Sequence, residues 1–341
     1  MRTVTYRLHD WAVRVAAPVD RAFEHFDPFY DRAARPSPPA FDLTVLSPPP
    51  QGLSVRDHRA SEWGVVIDHV DENRCHVYAA TADEAEVCAT ARRLIRHVWF
   101  DRLARSQALL VLHASAVDDG KRVIAFAGNK FSGKTTMLLD SIATHGHTMI
   151  TNDNLMVHGD QRGPVLTATP TFVRIRQDTA ERYHDFLSAR ARDPLNQRNY
   201  AGYRRDRGYF GPENALLLSF GVFGDARLPL VPLHERELLL VDTAFSDDKR
   251  VHITESPRTV RAIRDFSSAM LKTAEVVKSI TAGRLYPTAP LPELGVPELL
   301  LAQLHQRARL VVYRHQGEVG PLLDFLADRA PESVAVGDGE Q

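Results

Sequence analysis

The chain has 341 residues, 44% hydrophobic and 25% charged, which is enough for two domains or for one large domain with an accessory layer. Its formal net charge of -1 gives no general field that would attract nucleic acid or an acidic membrane surface. The two cysteines match no metal-binding spacing and indicate no disulfide framework. The N-terminus lacks an apolar signal segment, and no run approaches the roughly 18 apolar residues of a membrane helix. We therefore expect a cytoplasmic protein with no nucleic-acid and no membrane partner.

The first eighty residues are predicted to be rich in β-strands. Apolar and polar residues alternate over residues 4–8 and 11–15, which is the period of half-buried strands. The strand around residues 43–45 lies between two proline clusters, and because proline cannot donate to a central ladder we expect an edge strand or a loop there. Residues 63–70 and 74–80 predict a hairpin. We interpret residues 1–82 as a β-rich N-terminal accessory domain.

A long helix is predicted over residues 83–105, with an apolar face that includes Val87, Ala91, Leu94 and Val98. The same stretch carries five arginines, at positions 92, 93, 96, 102 and 105. We interpret these arginines as the solvated face of the helix rather than as an anion-binding site.

Residues 122–153 hold the strongest chemical signal in the sequence. A strand at residues 123–127 leads into a glycine-bounded loop, and a helix opens at Lys134. The stretch from Gly128 to Thr135 fits G-x-x-x-x-G-K-[ST], the phosphate-binding P-loop, in which backbone N–H groups and the helix dipole face phosphate oxygens. Lys134 can reach the β- and γ-phosphates, and the Thr135 hydroxyl can ligate Mg²⁺. The candidate ATP-binding residues are Gly128, Asn129, Lys130, Phe131, Ser132, Gly133, Lys134, Thr135 and Thr136.

Two further candidate catalytic residues lie at predicted strand ends near this loop. A strand at residues 148–151 delivers Asn152 and Asp153 to its end. A carboxylate there can accept the proton of a hydroxyl substrate or hold Mg²⁺ through water. Asp153 is therefore a candidate general base and, with Thr135, a candidate metal ligand. His113 follows a predicted strand at residues 108–112, and its position alone is also that of a histidine hydrogen-bonded in a core; a catalytic role for it is implied by the resemblance described below.

The second half of the chain carries weaker signals. Arg174 and Arg176 share one face of a predicted strand, which looks either into the cleft, where they would clamp phosphate, or to solvent. Residues 178–214 are polar and arginine-rich and are predicted to form either a mobile substrate or lid segment or a solvated loop that binds nothing. Of the arginines at positions 198, 204, 205 and 207, Arg204 and Arg205 are expected to face phosphate. Strands are predicted at residues 215–222, 238–241 and 308–313, helices at residues 259–281 and 321–330, and a disordered tail at residues 331–341.

Three pieces of the sequence together resemble the HPr kinase/phosphorylase superfamily and its HPr-kinase-related relatives, some of which are encoded with peptide natural products. They are His113 in an H-[small]-x-x-V context, the P-loop at residues 128–135, and residues 146–153, which are similar to the family's G-H-x-x-x-x-D-D segment. The match covers residues 108–180 and extends more loosely to the strands further along the chain.

The resemblance implies an α/β fold of mixed α+β type, with an HPr-kinase-like P-loop nucleotide-binding core at residues 83–330. It implies an ATP-dependent kinase that uses Mg²⁺ and phosphorylates a hydroxyl, on a serine or threonine of a peptide or protein or on a small-molecule alcohol. Asp153 matches the family's general base and His113 its active-site histidine, and Lys134 of the P-loop completes the catalytic set. Phe131 replaces a glycine that is common in the family's loop, and Asn152 replaces the family's first aspartate. No dephosphorylation motif is found, so phosphorylase activity is not expected.

Two alternatives of other classes stay open. In an NTP-hydrolysing switch or assembly factor, Asp153 would orient water instead of a substrate hydroxyl. A weakly catalytic nucleotide-binding partner protein is compatible with Phe131 and Asn152 at their positions. A transporter ATPase is disfavoured, because no L-S-G-G-Q-like signature and no acidic Walker B pair occur. The sequence leaves the acceptor and the oligomeric state open, and a homo-oligomer is compatible with it.

Overall fold

A computed structural model describes residues 1–9, 11–34, 41–60, 63–106, 109–160, 163–205, 215–224, 229–248, 250–256 and 298–328 of the chain. These residues form a mixed α/β protein with two large sheets. The strands are β1 (Arg2–Leu8), β2 (Trp11–Ala17), β3 (Asp31–Arg32), β4 (Phe41–Val45), β5 (Asp57–Ala60), β6 (Val65–Asp71), β7 (Arg74–Ala79), β8 (Leu109–Asp118), β9 (Arg122–Ala127), β10 (Thr148–Thr151), β11 (Asn154–Asp160), β12 (Gly163–Ala168), β13 (Phe172–Arg176), β14 (Ala215–Ser219), β15 (Val231–Pro232), β16 (Glu237–Phe245), β17 (His252–Glu255) and β18 (Ala308–His315). The helices are α1 (Glu84–Ser106), α2 (Lys134–Ala143), α3 (Gln177–Arg182), α4 (His184–Arg190), α5 (Pro194–Arg205), α6 (Glu298–Arg307) and α7 (Gly320–Ala327).

The first sheet has, within the described residues, the strand order β3-β1-β2-β4-β7-β6-β5. The predicted strands in the first eighty residues and the antiparallel β6–β7 hairpin are confirmed. Helix α1 lies on this sheet, and its apolar residues join the apolar side chains of the strands in one core. The two cysteines, Cys75 and Cys88, are buried free thiols in this core. Burial raises the pKa of the Cys88 thiol to about 12.

The prediction of an edge strand near residue 43 was wrong. Strand β4 lies in the interior of the first sheet and pairs in parallel with both β2 and β7. Its own residues include no proline, so every backbone N–H can enter the ladder. Phe41, Leu43 and Val45 alternate inward and are almost fully buried. The prolines only flank the strand, and they therefore do not limit its position in the sheet.

The arginines of helix α1 were predicted to be solvated, and for Arg92 this was wrong. Its guanidinium lies 4.8 Å from the ring centroid of Phe29 and 5.4 Å from that of Phe172, and it donates a hydrogen bond to the carbonyl oxygen of His25 at 2.9 Å. Burial lowers the pKa of Arg92 to about 10. A guanidinium is weakly hydrated and stacks on aromatic rings, so it can enter a partly buried position that the helical pattern assigns to solvent.

The second sheet carries the loop at residues 128–133, which is the predicted P-loop. Its strand order in the described residues is β15-β12-β11-β8-β9-β16-β18-β17, with β10 beside β8. Strand β9 runs parallel to β16 and antiparallel to β8, and β16 runs parallel to β18. The carboxyl ends of β9, β16 and β18 therefore meet at one edge, where the chain leaves β9 for the loop. Helix α2 packs on one face of this sheet and helix α6 on the other.

The described part of the segment predicted as a mobile lid, residues 178–205, is mostly helical, and residues 206–214 lie outside the described residues. Residues 177–205 form α3, α4 and α5, and Leu187 and Asn196 are fully buried in it. The Asn196 side chain donates to the Ser219 hydroxyl at 2.6 Å and accepts from the Ser219 backbone N–H at 2.8 Å. A polar composition had indicated an unpacked loop, but buried hydrogen bonds of this kind fix helices whose apolar pattern is weak.

Several predictions concern residues that the structure does not describe. The helix predicted at residues 259–281, Arg207 and the tail at residues 331–341 lie outside the described residues, as do the side chains of Arg204 and Arg205. The strand predicted at residues 308–313 and the last predicted helix are confirmed as β18 and α7. Across the described ranges, no helix combines the length and apolarity needed to cross a membrane.

Candidate nucleotide-binding site

The loop between β9 and α2 has the backbone form that its glycines predict. Gly128 and Gly133 have φ values of 151° and 88°, in the region that side chains rarely adopt. A Cβ at Gly128 would lie 2.5 Å from the carbonyl oxygen of Thr243, and one at Gly133 would lie 2.5 Å from Cε1 of His315. Both positions therefore require glycine for close packing as well as for backbone freedom.

The polar side chains of the loop are held close to its backbone. Lys134 Nζ donates to the carbonyl oxygens of Gly128 and Asn129, each at 2.9 Å. The ammonium group thus lies against the start of the loop, one side-chain rotation from any anion that the loop holds. The Ser132 hydroxyl oxygen is buried and has no hydrogen-bond partner among the described residues. A buried hydroxyl without a partner is costly, and a phosphate oxygen in the loop would relieve that cost.

Asn152 and Asp153 are joined to the loop and to His113. The Thr135 hydroxyl donates to the side-chain oxygen of Asn152 at 3.1 Å, which ties the end of β10 to the first turn of α2. Asp153 Oδ1 lies 3.0 Å from His113 Nε2, and about half of the Asp153 side chain is exposed. The register of β8 and β9 pairs Ala114 with Ala127, so His113 lies beside the point where the loop leaves β9. The structure thus brings Lys134, Thr135, His113 and Asp153 to one edge of the second sheet.

Phe131 lies at the exposed tip of the loop in a left-handed conformation, with a φ of 71° and 56% of its surface exposed. This conformation explains why a glycine suits the position better on backbone grounds. Arg176 lies over the Phe131 ring, with its guanidinium carbon 4.3 Å from the ring centroid, and Lys130 Nζ lies 4.8 Å from the same centroid. Arg174 and Arg176 are both exposed on β13. The structure places Arg176 against the loop through its contact with Phe131.

Two side chains outside the motif, one in contact with the loop and one within α2, have no local sequence signal. His315, at the end of β18, accepts a hydrogen bond from the Gly317 N–H through Nδ1 at 3.0 Å, so its Nε2 carries the proton and donates to the Ser132 carbonyl oxygen at 3.1 Å. Asp140, buried in α2, accepts from the Tyr183 hydroxyl at 2.8 Å and from the Val319 N–H at 2.6 Å. Neither belongs to a local pattern, because each acts through partners that are distant in sequence.

Asp242 was also missed, although the sequence carries a signal for it. It follows four apolar residues within β16 and pairs with Ala127, the last residue of β9. A single acidic residue after an apolar strand beside the loop is the pattern of the Mg²⁺-binding aspartate in P-loop NTPases. Arg314 donates to the Asp242 carboxylate and to its carbonyl oxygen, each at 2.9 Å. The carboxylate is therefore occupied by an ion pair.

The side-chain oxygens of Thr135 and Asn152 are of the kind that bind Mg²⁺ in nucleotide-binding sites. Across the described ranges, no three His, Cys, Asp or Glu side chains are grouped to hold a metal ion. Mg²⁺ keeps several waters and binds through one or two protein oxygens plus substrate phosphates, so it needs no such cage. The Thr135 hydroxyl and the Asn152 amide oxygen, 3.1 Å apart, are hard oxygen donors of the required kind, and the half-exposed Asp153 carboxylate follows Asn152 directly.

The remaining arginine candidate of the predicted lid is not part of this arrangement. Arg198 NH1 lies 3.3 Å from the Glu24 carboxylate.

No protein-family model matches the sequence, and no curated protein matches it at a significant level.

Proposed function

We propose that this chain is an ATP-dependent kinase that transfers the γ-phosphoryl group to a hydroxyl of a peptide, a protein or a small-molecule alcohol. The observation that carries the proposal is the Thr135–Asn152 hydrogen bond, because it holds Asp153 beside a loop of phosphate-binding form. Phosphoryl transfer needs mainly a phosphate cradle and a group that takes the proton of the attacking hydroxyl. The resemblance to the HPr kinase/phosphorylase superfamily supports the same reaction.

Each residue has a defined task in this reaction. The loop N–H groups and Lys134 bind the phosphates, and Lys134 exchanges its two carbonyl partners for phosphate oxygens. The Asp153 carboxylate, whose Oδ1 lies 3.0 Å from His113 Nε2, accepts the hydroxyl proton. The acceptor oxygen then bonds to the γ-phosphorus as the bond from that phosphorus to the β–γ bridging oxygen breaks, and ADP leaves. Thr135 with Asn152 or Asp153 would hold Mg²⁺, which would supply positive charge to neutralise the phosphates.

A paired experiment separates nucleotide binding from chemistry. Lys134→Ala should weaken Mg·ATP binding about 10- to 100-fold in calorimetry, because it removes a charge-assisted contact to phosphate. Lys121→Ala, which removes an exposed lysine at the other end of β9, is the matched control and should bind as the wild type does. Asp153→Asn should keep the ATP affinity and lower phosphoryl transfer by at least about 100-fold. Asp185→Asn, on the exposed surface of α4, controls for the loss of one carboxylate.

Transfer is measured with γ-labelled ATP against a panel of serine- and threonine-containing peptides and small polyols. Unchanged ATP affinity in Lys134→Ala contradicts the nucleotide site. Full transfer in Asp153→Asn removes Asp153 from the role of base and points to His113. ATP turnover in the wild type that does not depend on any acceptor favours the NTP-hydrolysing alternative.

A further inference from the structure

The contact between Arg176 and the P-loop is not explained by folding alone. Arg176 is exposed on β13 and makes its described contact with Phe131, at 4.3 Å from the ring centroid. An exposed cation–π contact contributes only about 0.5–1 kcal/mol. The contact therefore stabilises the fold little, but it fixes where the guanidinium lies relative to the loop.

The backbone of Phe131 is strained. A bulky side chain in the left-handed region costs on the order of 1 kcal/mol or more. Burial of the ring does not offset this strain, since 56% of the residue is exposed. Strain kept at a loop of this kind indicates a functional role rather than a packing role. The structural consequence of Phe131 is an aromatic platform on the tip of the loop, with Arg176 resting on it.

The orientation of a stacked guanidinium suits phosphate binding. When the planar group lies face-on over a ring, its N–H donors point outward along its edge, where they can bind two phosphate oxygens at once. Residue 131 lies within the loop whose N–H groups are expected to face phosphate, so a guanidinium 4.3 Å from its ring lies within side-chain reach of a phosphate held there. Lys134 lies against the carbonyl oxygens of Gly128 and Asn129 at the start of the loop, so Arg176 supplies a second positive charge near the middle of the loop.

We propose that Arg176, positioned by the ring of Phe131, binds the terminal phosphate of the nucleoside triphosphate and stabilises the charge that develops on it during transfer. A positive group at that place acts where charge accumulates in the transition state. The assignment rests on the proposed function, since it requires that the loop bind ATP. Arg176 is then a catalytic residue, and Phe131 is its positioning residue.

The test compares ATP with ADP, so it needs no acceptor. The affinities of Mg·ATP and Mg·ADP are measured by calorimetry for the wild type, Arg176→Ala, Arg176→Lys and Arg174→Ala. Arg176→Ala should weaken ATP binding about tenfold or more while ADP binding stays unchanged, because only ATP carries the terminal phosphate. Arg176→Lys keeps the charge without the planar fork and should give an intermediate value. Arg174→Ala removes the same side chain about 6–7 Å further along the same face and should keep the wild-type ratio.

Variants at Phe131 test the platform. Phe131→Leu should lose part of the preference for ATP, about two- to fivefold, because it removes only the contact that positions Arg176, and Phe131→Tyr should keep the preference. The double variant Phe131→Leu with Arg176→Ala should be no worse than Arg176→Ala alone, because the ring acts through Arg176. Melting temperatures report whether each variant folds, and both replaced side chains are exposed.

Three outcomes overturn the proposal. An ATP preference that Arg176→Ala leaves intact removes Arg176 from the terminal phosphate. An equal loss for ATP and ADP assigns Arg176 to the inner phosphates or to the fold. Additive losses in the double variant show that Phe131 acts independently of Arg176. A wild-type chain that binds neither nucleotide, by contrast, overturns the proposed function itself, so the two failures are distinguishable.

Discussion

His315 is a buried neutral residue that donates a hydrogen bond to the loop between β9 and α2. It is fully buried at the end of β18, and its ring packs against Phe245 with the centroids 4.6 Å apart. Because the Gly317 N–H occupies Nδ1, a second proton on the ring would face a donor and would lose that hydrogen bond. Burial lowers the pKa of His315 to about 4. Protonation therefore opposes the hydrogen bond from Gly317, whereas Nε2–H can donate to the Ser132 carbonyl oxygen in either state.

This predicts a pH dependence of stability that belongs to His315. In the unfolded chain the pKa is about 6.5, and in the folded chain it is about 4. Between these values the unfolded state binds more protons, so the contribution is fully present above about pH 6.5 and is lost as the pH falls to about 4. The difference corresponds to about 3 kcal/mol. His315→Gln keeps a donor and cannot titrate, so its free energy of unfolding, from urea titrations between about pH 4 and 7, should change less steeply than that of the wild type. Parallel curves for the two proteins would contradict this prediction.

At the scale of residues, the sequence predicts those features that a local motif encodes. The loop glycines, Lys134 and Thr135 follow from fixed spacing, because the loop conformation needs those residue types in that order. The support from His315 and the stacking of Arg176 on Phe131 come from strands that pair far along the chain. No local pattern records such contacts, so only the folded structure shows them.

Helix α2 is anchored to the rest of the protein by one buried carboxylate. Asp140 accepts hydrogen bonds from Tyr183, which lies between α3 and α4, from Val319, which precedes α7, and from Thr144 at the end of its own helix. The Tyr183 hydroxyl bond and burial both raise the pKa of Tyr183. Helix α2, the connection between α3 and α4, and the residue before α7 therefore meet at the Asp140 side chain.

Asp140→Asn should destabilise the protein by about 2–3 kcal/mol, because the new amide group faces donors and leaves buried hydrogen bonds unmade. Thr144→Val removes one donor to the same carboxylate and should cost less than about 1.5 kcal/mol. Urea unfolding at neutral pH measures both values, with the dependence on urea checked for equality among the variants. A loss in Asp140→Asn no larger than that in Thr144→Val would show that Asp140 does not anchor the helix.

At the scale of elements, the bounds of regular segments could be predicted from the sequence, whereas their pairing and packing partners could not. The periods of residues 83–105 and 148–151 gave a helix and a strand that the structure contains as α1 and β10. The position of β4 inside its sheet depends on pairing with β7, and the helices at 177–205 depend on buried polar contacts. Both are tertiary effects, which override composition and propensity.

The described residues form two large sheets, and side chains from both sheets lie in one apolar core. The core of the first sheet contains α1 and also Leu109, Val111 and Met156 from the second sheet. The mixed α/β class follows from the strand and helix pattern, but the order of strands does not, since β9 lies beside a strand more than a hundred positions later. The predicted division at residue 83 stays a prediction, and the packing of α1 suggests a direct test of it.

Helix α1 buries Val87, Ala91, Leu94, Ile95 and Val98 completely in the core of the first sheet. Burial of a large apolar side chain contributes about 1.5–3 kcal/mol, so these residues together match the whole stability of a typical domain, about 5–15 kcal/mol. A fragment of residues 1–106 should therefore unfold cooperatively on heating, followed by circular dichroism, whereas a fragment of residues 1–82 should show no cooperative transition and should bind a hydrophobic dye. The full chain is the control for the midpoint temperature. Cooperative unfolding of the 1–82 fragment would instead place the boundary before α1, as the sequence alone predicted.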